Sequence, residues 1–527
     1  MDSNLKEQTI GEPQITQTKD MTDKKLEMSP NIVAAFLQKS PETFTKADII
    51  NFVRSYGIKM VNFMYPAEDG RVKTLNFMIN SLEYLETILS QGERVDGSSL
   101  FPSFVEAGSS DLYVIPRFRT AFVDPFSEIP TLGMLCSFFD KDGRPFECDP
   151  YQTIVKASNA FRESTGMTFD AMGELEYYVI TEEEQLFPGT DQKGYHESSP
   201  FAKLNAFRTE CMSMIAQTGG LIKYGHSEVG NFSRDGKTYE QNEVEFLPCP
   251  IETAADQLLL AKWVIRTLGW QYGLDVTFAP KIIVGEAGSG MHVHMRIMKD
   301  GHSCMTENGK LSDIAKRAIA GLMTLAPAIT AFGNKNPTSF FRLVPHQEAP
   351  TNICWGDCNR SALVRVPLGW ATGIDMCAVA NPMEETYKSS EEYVVSDASD
   401  KQTFEMRSPD SSADIYQLMA GLCVACRIGL EMPEKEALDL VARTYAGLNI
   451  HTKGSKDFAE LPGSCAEAAD CLEESREIFE RNNVFTPRMI DGIERALKSF
   501  NDKGMLADAV KDAAKVKELV DKYFYCG

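Results

Sequence analysis

The sequence predicts an α+β protein with more than one domain. Short extended runs dominate residues 56–148, strands and helices alternate in the next part of the chain, and helical patterns dominate from Ser312 onward. With 527 residues, 43% of them hydrophobic, the chain can bury a large core. These observations favour a small N-terminal domain followed by a larger one.

The N-terminal part begins with a polar tail and continues as a small domain. Residues 1–42 are rich in Lys, Thr, Gln and Glu, which favours a flexible tail that carries one short helix near Ile32–Phe36. Residues 43–147 contain short strands such as Lys59–Met64, interrupted by a helix near Ser81–Leu89. We therefore expect a compact α+β domain here.

The second domain is predicted to span residues 148–527, because Asp149-Pro150 is a boundary signal and a helix follows it. Its helices are predicted at 154–164, 201–217 and 253–272, and its strands at 170–180, 221–229, 241–246, 277–283, 291–297, 361–366 and 403–406. Turn-forming residues between Glu228 and Gln241 predict a hairpin loop.

Charge and cysteine content restrict the possible partners and compartment. A formal net charge of −22 argues against nucleic acid or an anionic membrane as a partner, since both require clustered Lys and Arg. Residues Met1–Ser29 contain no apolar signal-peptide core, and no apolar run has the length of a membrane span. The 13 cysteines lack the spacing of a small disulfide framework. We expect a cytoplasmic protein with reduced thiols.

Three short stretches place two polar side chains at positions i and i+2 of an extended run. They are Glu174-Leu-Glu176, His292-Val-His294 and Glu405-Met-Arg407. Because side chains alternate along a strand, both members of each pair lie on the same face. An ionised group buried without a partner costs several kcal/mol, so these faces argue against a packed core. They predict a cleft that holds cations and an anionic substrate.

Further glutamates belong to the same region of the sequence. Glu228 ends one predicted strand, and Glu243 and Glu245 share a face of the next. Oxygen-rich sets with one or two imidazoles suit Mg²⁺ or Mn²⁺ rather than Zn²⁺. Each glutamate pair taken alone is also typical of the solvated face of an antiparallel sheet, so the carboxylates by themselves leave both interpretations open.

Four arginines lie in segments that are otherwise apolar: Arg342, Arg360, Arg365 and Arg407. A cation in such a segment is costly unless it meets an anion. Guanidinium groups bind carboxylate and phosphate in a bidentate geometry. Carboxylates for divalent cations and arginines for anions together are suited to phosphoryl transfer. The residues indicate a phosphotransferase or an ATP-dependent ligase.

Seven motifs follow one another along the chain in a specific order. They are Asp96-Gly-Ser-Ser, Gly173-Glu-Leu-Glu, Gln241-Asn-Glu243, Gly288-Ser-Gly-Met-His-Val-His, Arg342-Leu-Val-Pro-His-Gln-Glu-Ala-Pro, Asn359-Arg-Ser-Ala and Glu405-Met-Arg-Ser-Pro-Asp. Their order and spacing resemble the glutamine synthetase family, type I. The resemblance runs from about residue 45 to the end of the sequence and includes Leu461-Pro-Gly-Ser.

The resemblance implies a fold and an assembly. It implies a β-grasp N-terminal domain and a catalytic domain with a curved antiparallel sheet flanked by helices, which forms a funnel between neighbouring subunits. It also implies a homo-oligomer, usually a dodecamer of two stacked rings. The expected ligands are glutamate, ATP as co-substrate, and two Mg²⁺ or Mn²⁺ ions in each active site.

The resemblance also implies roles for individual side chains. One metal would be held by Glu176, Glu228 and Glu243, and the second by Glu174, His292 and Glu405. The amino acid would contact Arg342 and the backbone of Gly288, the phosphoryl and γ-carboxyl groups would face Arg360, Arg365 and Arg407, and the nucleotide would lie near His294.

The family chemistry that this resemblance implies has two steps. The γ-carboxylate of glutamate attacks the terminal phosphate of ATP, and the resulting γ-glutamyl phosphate then reacts with an amine. Asp96 of a neighbouring subunit would deprotonate ammonium, and Asp111 would line the ammonium site. Glu348, on a flap, would shield the intermediate from water and accept a proton.

The sequence departs from the family pattern around the amine and nucleotide pockets. The differences are Ala287, His346, Gln347, Cys358, Lys223, Pro248 and a lengthened loop between Glu228 and Glu243. The intact metal and arginine sets favour a ligase that makes glutamine from glutamate and ammonia. A γ-glutamyl ligase for a polyamine or another organic amine is the alternative within the enzyme class. A non-catalytic structural or regulatory ring protein is the alternative from another class.

Overall fold

The computed structural model describes residues 26, 28–106, 108, 110–344, 349–369, 376–383, 398–447, 449–450, 458–505 and 511–527. Most of the predicted tail lies outside these residues. Helix α1 (Ile32–Leu37) forms where a short helix is predicted, and Asn31 caps it by accepting the backbone N–H groups of Val33 and Ala34. Val33 and Ala34 are themselves buried. This part of the predicted tail is therefore anchored to the N-terminal domain.

Six strands form the N-terminal sheet, in the order β2-β1-β6-β4-β3 with β5 paired to β6. They are β1 (Met60–Pro66), β2 (Val72–Met78), β3 (Glu93–Asp96), β4 (Asp111–Pro116), β5 (Phe122–Val123) and β6 (Thr131–Phe139). Strand β1 is antiparallel to β2 and parallel to β6. Helices α2 (Lys46–Tyr56) and α3 (Leu82–Gln91) each bury an apolar stripe. This mixed sheet with packed helices agrees with the β-grasp prediction.

Ten strands form the sheet of the second domain, in the order β16-β17-β18-β12-β7-β9-β8, with three short strands on β7 and β12. The strands are β7 (Thr168–Glu182), β8 (Ile222–Arg234), β9 (Lys237–Phe246), β10 (Cys249–Pro250), β11 (Asp275–Thr277), β12 (Met291–Lys299), β13 (His302–Ser303), β16 (Trp355–Asp357), β17 (Val364–Val366) and β18 (Phe404–Met406). Strands β14 (Thr306–Glu307) and β15 (Lys310–Leu311) pair separately. The large sheet is antiparallel except between β16 and β17.

Helices flank this sheet and form most of the remaining chain. They are α4 (Gly97–Leu100), α5 (Pro150–Thr165), α6 (Asn205–Gln217), α7 (Ile251–Tyr272), α8 (Asp313–Gly333), α9 (Ser339–Arg342), α10 (Met376–Ala380), α11 (Ile415–Glu431), α12 (Glu434–Thr444), α13 (Cys465–Glu474), α14 (Arg476–Glu480), α15 (Pro487–Lys498) and α16 (Ala513–Tyr523). Helices α8 and α11 cross at Gly321, where a Cβ atom would lie 1.9 Å from the carbonyl oxygen of Ala425. Glycine is required for this close approach.

Helix α8 has the length and apolar composition of a membrane span, but 72% of its apolar window is buried inside the protein. Helices α11 and α12 pass the same test only as a pair, and they are bent by 118° relative to each other. The apolar surface of α8 is therefore explained by its place in the core of the helical layer.

The predicted α+β fold is confirmed, with two local corrections. The predicted strand 277–283 overlaps β11 only at Thr277, because Pro280 and a turn that leads to Gly285, with φ of +101°, end the pairing. The predicted hairpin loop is instead two long strands joined at Asp235-Gly236, both with positive φ. Asp-Gly favours this tight turn. We propose that the boundary between the two domains lies between residues 147 and 148.

A buried polar network joins the two domains. The carboxylate of Asp256 on α7 accepts two hydrogen bonds from Arg117, at 2.6 and 2.8 Å, and one each from Arg119 and Tyr416. Burial alone would raise the pKa of Asp256, but the two guanidinium groups hold it below its usual value. The arginines follow β4 of the N-terminal domain, so the network fixes this domain against α7.

We expect Asp256→Asn to lower the free energy of unfolding by about 3–5 kcal/mol, because it leaves the nearly buried guanidinium of Arg117 without an anion and leaves Arg119, among the described residues, only its ion pair with Glu42. Chemical denaturation at pH 7 measures the change. Since the folded-state pKa of Asp256 lies below the unfolded value, its contribution is present above that unfolded value and is lost only as the pH falls toward the folded one. Asp313→Asn is the control, since Asp313 is 58% exposed and, within the part of the chain that the structure describes, forms an ion pair with Lys316 alone. Equal losses in the two variants would contradict the role of the network.

Candidate active site

The registers of five neighbouring strands bring the predicted polar residues together. Glu174 on β7 lies opposite His292 on β12, and His294 lies opposite Glu405 on β18. On the other side of β7, Glu176 lies opposite Glu243 on β9, which in turn lies opposite His226 on β8. Side chains directly opposite each other on one face lie about 5 Å apart. One sheet surface therefore carries a continuous row of carboxylates and imidazoles.

The first cluster consists of Glu174, His294 and Glu405, which have ligand atoms within 4.8 Å of one another. Nε2 of His294 lies 2.8 Å from Glu174 and 2.7 Å from Glu405. Burial alone would lower the pKa of His294, but these two carboxylates raise it to about 10. The protonated imidazole of His294 therefore supplies a positive charge between the carboxylates of Glu174 and Glu405.

The sequence-predicted ligand His292 lies at the edge of the first cluster. Its Nδ1 is 2.8 Å from Oε2 of Glu174, and no other carboxylate contact of this side chain is found among the described residues. His294 thus lies deeper between the two carboxylates than His292 does. The sequence places both imidazoles on one face, but it does not indicate which of them bridges the carboxylates.

The second cluster consists of His226, Glu228 and Glu243. Burial, followed by the neighbouring carboxylate of Glu176, raises the pKa of Glu228 to about 7. Burial and the carboxylates of Glu174 and Glu176 also raise the pKa of Glu243 well above its usual range. Crowded carboxylates of this kind fit a bound divalent cation, which would replace the mutual repulsion by attraction.

Glu176 lies beside the second cluster, with its carboxylate already engaged. Oε2 accepts hydrogen bonds from the backbone N–H of Gly290 at 2.7 Å and from the side chain of Gln241 at 3.0 Å. The same amide group of Gln241 donates to the carbonyl oxygen of Gly288, also at 3.0 Å. This network joins the metal-site strands to the glycine segment that precedes β12.

The arginines approach the same region from the other side. Arg365 lies 2.9 Å and Arg407 3.2 Å from Oε1 of Glu405. Arg407 also donates a hydrogen bond to the backbone carbonyl oxygen of Arg360. The side chain of Arg360 is exposed and lines the cavity. The buried guanidinium of Arg342 donates to the backbone carbonyl oxygens of residues 407, 408 and 409. These contacts fix the direction of the arginine side chains.

Both clusters and all four arginines line one cavity of about 650 Å³. Gly288 and Ala287 also line it. A cavity of this volume can hold an organic ligand. The arrangement places cation ligands along one wall and anion-binding groups along another, which is the chemistry required to hold a polyphosphate beside a carboxylate substrate.

The predicted ammonium-site residues lie elsewhere in the chain. Asp96 and Asp111 are cross-strand partners on β3 and β4 of the N-terminal domain, and neither lines the cavity among the described residues. Hydrogen bonds from the hydroxyl groups of Ser98 and Ser99 hold the pKa of Asp96 below its usual value. Glu348 lies outside the described residues.

His226 and Tyr195 line the cavity but are not among the site residues predicted from the sequence. His226 has the same i, i+2 spacing from the predicted ligand Glu228 as the members of the three pairs have from each other, so this spacing could have indicated it. Glu245 forms a third group with Glu174 and Glu243, whose ligand atoms also lie within 4.8 Å of one another. Its carboxylate accepts hydrogen bonds from Lys223 at 2.7 Å and Tyr224 at 2.5 Å. Tyr195 comes from the segment before α6, and spacing along the chain gives no indication of its position.

Comparison with known proteins identifies the family. Residues 57–141 match the β-grasp domain of glutamine synthetase, and residues 147–376 match its catalytic domain. A glutamine synthetase of Clostridium saccharobutylicum is 29% identical over 82% of this chain and 90% of its own length. A 3-hydroxylaminophenol mutase of Cupriavidus pinatubonensis is 27% identical over 84% of this chain and 93% of its own length.

A solved structure of Plasmodium falciparum glutamine synthetase has the same fold, with a TM-score of 0.68 and 17% identity over 88% of this chain and 97% of the other. Both matched domains occur in the expected order, and the catalytic match contains both clusters except Glu405. The chain belongs to the glutamine synthetase family.

Proposed function

We propose that this protein is an ATP-dependent ligase that forms glutamine from glutamate and ammonia by way of γ-glutamyl phosphate. Family membership supports a ligase that uses ATP and a divalent cation and works as an oligomer. The observation that carries the proposal is the convergence of two carboxylate–imidazole clusters and four arginines on one cavity. All six predicted metal ligands are present, which disfavours a non-catalytic ring protein.

The metal ligands of the proposal are those that the family resemblance implies. Glu176, Glu228 and Glu243 would hold one Mg²⁺ or Mn²⁺ ion, and Glu174, His292 and Glu405 the other, with His294 close to the nucleotide. The raised pKa values of Glu228 and Glu243 support a site that requires positive charge. When bound, the ions would offset the negative charge of the ATP phosphates.

The arginines would position the two anions that react. Arg342, directed by three backbone carbonyl groups, would bind the α-carboxylate of glutamate beside the backbone of Gly288. Arg360, Arg365 and Arg407 would face the γ-carboxylate and the transferred phosphoryl group. Fixed positive charges at these positions stabilise the transition state because they do not have to reorganise during the reaction.

The amine site would be completed by a second subunit. Asp96 and Asp111 lie at the edge of the N-terminal sheet, outside the cavity of their own chain. We propose that they reach the cavity of a neighbouring subunit in a dodecameric ring. An ionised Asp96 would attract ammonium and take its proton, while Glu348 would shield the acyl phosphate from water. A cytoplasmic location belongs to the same proposal.

A γ-glutamyl ligase for a polyamine or another organic amine is the second candidate. Two tyrosine side chains, Tyr195 and Tyr224, line the cavity and are 49% and 42% exposed. Aromatic rings recognise organic ammonium groups through cation–π contacts. The 27% identity to a relative named as a mutase also supports chemistry beyond glutamine formation within related chains.

An acceptor assay decides between these functions. We expect phosphate release from ATP that requires glutamate and rises with ammonium, and the formation of glutamine identified by mass spectrometry. Methylamine, putrescine and spermidine are compared with ammonium under the same conditions. Stimulation by an organic amine but not by ammonium would overturn glutamine formation in favour of the second candidate. Absence of both turnover and ATP binding would support the non-catalytic alternative.

A further inference from the structure

The imidazole of His226 lies at the carboxylates of the second cluster. Its Nε2 atom is 4.0 Å from Oε1 of Glu243, and both residues share a group with Glu228 in which all ligand atoms lie within 4.8 Å. Ligands around one ion at about 2.1–2.2 Å are separated by about 3–4.4 Å, depending on whether they are adjacent or opposite. The observed separation therefore fits a shared ion.

The hydrogen bond of the other ring nitrogen defines the tautomer of His226. Nδ1 lies 3.0 Å from the carbonyl oxygen of Ser227. A carbonyl oxygen can only accept, so Nδ1 carries the hydrogen and Nε2 of the neutral ring has a free lone pair. Metal-binding histidines are commonly oriented by a hydrogen bond of this kind. The lone pair is available on the side that faces the cluster.

Glu243 provides the second observation. Its side chain is only 6% exposed, and its carboxylate accepts no hydrogen bond from any residue that the structure describes. A buried carboxylate without a donor is costly. At 4.0 Å from a bare Nε2 atom it has no favourable contact with the imidazole. A cation between the two electron-rich groups would satisfy both.

The ring of His226 is held in place by aromatic neighbours. Ring centroids of His196 and Tyr195 lie 4.2 and 5.4 Å away, and that of Tyr224 lies 5.8 Å away. Packing on these sides restricts rotation of the imidazole. Nε2 therefore remains directed to the carboxylates without a bound ion, and little ordering is required when one binds.

We propose that Nε2 of His226 is a ligand of the metal ion held at the second cluster, together with Glu228 and Glu243. This inference rests on the proposed function for the presence of the ion, and it adds a ligand that the family motifs did not indicate in this chain. An imidazole in the set makes the site softer than an all-carboxylate one. It favours Mn²⁺ over Mg²⁺, since imidazole nitrogen binds transition metals better than alkaline earth ions.

Mn²⁺ binding to the purified protein, without ATP or glutamate, tests the proposal. We expect calorimetry to show that His226→Gln weakens one of the two Mn²⁺ sites at least about ten-fold, the range found when a residue that supports a metal is lost. His226→Glu is expected to restore affinity by supplying an oxygen ligand. His302→Gln is the control, because His302 is exposed on β13, and it should leave both sites unchanged.

Pulsed electron paramagnetic resonance identifies the ligand atom directly. In a His292→Gln background, which removes the histidine ligand of the other metal site, we expect Mn²⁺ to show coupling to a histidine nitrogen, and we expect His226→Gln to remove it. His226→Glu should bind Mn²⁺ without this coupling. Tight Mn²⁺ binding without nitrogen coupling, or coupling that survives His226→Gln, would overturn this inference alone. Failure of the wild type to bind Mn²⁺ would overturn the metal site of the proposed function as well.

Discussion

Glu243→Gln is expected to lower the turnover of the ligase roughly a thousand-fold or more. Glu243 belongs to two of the three groups of potential metal ligands, and it lies between His226 on β8 and Glu176 on β7. An amide cannot balance the charge of a dication, and a metal ion contributes several kcal/mol to transition-state charge stabilisation. Each 1.36 kcal/mol corresponds to about a ten-fold change in rate. Phosphate release at saturating glutamate, ammonium and ATP measures the loss.

Glu240→Gln is the matched control for this variant. Glu240 is on the same strand and is 3% exposed, but three positions along a strand place it on the opposite face. Its carboxylate accepts the backbone N–H groups of Lys203 and Leu204, away from the cavity. We expect Glu240→Gln to keep its turnover and to lose some stability. A Glu243→Gln enzyme within ten-fold of the wild type would contradict a role of Glu243 in metal binding.

The faces of the functional strands could be predicted from the sequence because a two-residue period is a local property. The pairs Glu174/Glu176 and His292/His294 therefore point into the cavity as expected. The register between strands is not local, since one residue of slip moves every side chain to the other face. The sequence therefore could not indicate that His294, rather than His292, lies between Glu174 and Glu405.

The pairing of side chains across strands is the second feature that could not be predicted from the sequence. Glu245 has the same spacing from Glu243 as Glu176 has from Glu174, and this spacing alone does not distinguish a cation ligand from a carboxylate that is paired with a basic side chain. In the structure, Lys223 on β8 neutralises it across the sheet. The prediction that the four arginines lie near anions needed no tertiary information, because the cost of an unpaired cation in an apolar segment is independent of the fold.

The position of Asp96 leads to the second large effect. Asp96 is exposed on the edge strand β3, where its carboxylate accepts hydrogen bonds from the hydroxyl groups of Ser98 and Ser99. Its lowered pKa keeps it ionised at neutral pH, as required to attract an ammonium ion. We expect Asp96→Ala to lower turnover with ammonium by about 100- to 10,000-fold, the usual contribution of a general base.

A subunit-mixing experiment tests whether Asp96 acts in a neighbouring subunit. Asp96→Ala retains an intact cavity, whereas Arg360→Ala retains Asp96 and loses an arginine of the cavity. Each variant alone should be almost inactive. When the two are dissociated, mixed in equal amounts and reassembled, random association should restore about a quarter of the wild-type sites, because each active site then combines a cavity from one chain with Asp96 from another.

The recovered activity distinguishes an active site shared by two chains from one that lies within a single chain. Wild-type protein that is dissociated and reassembled in parallel corrects for losses in the procedure, and Asp96→Ala reassembled alone sets the background. If Asp96 served the cavity of its own chain, every mixed site would still lack one of the two groups, so the mixture would stay at the background rate. Recovery therefore requires an active site built from two chains, which would also explain why a single chain separates Asp96 from its cavity.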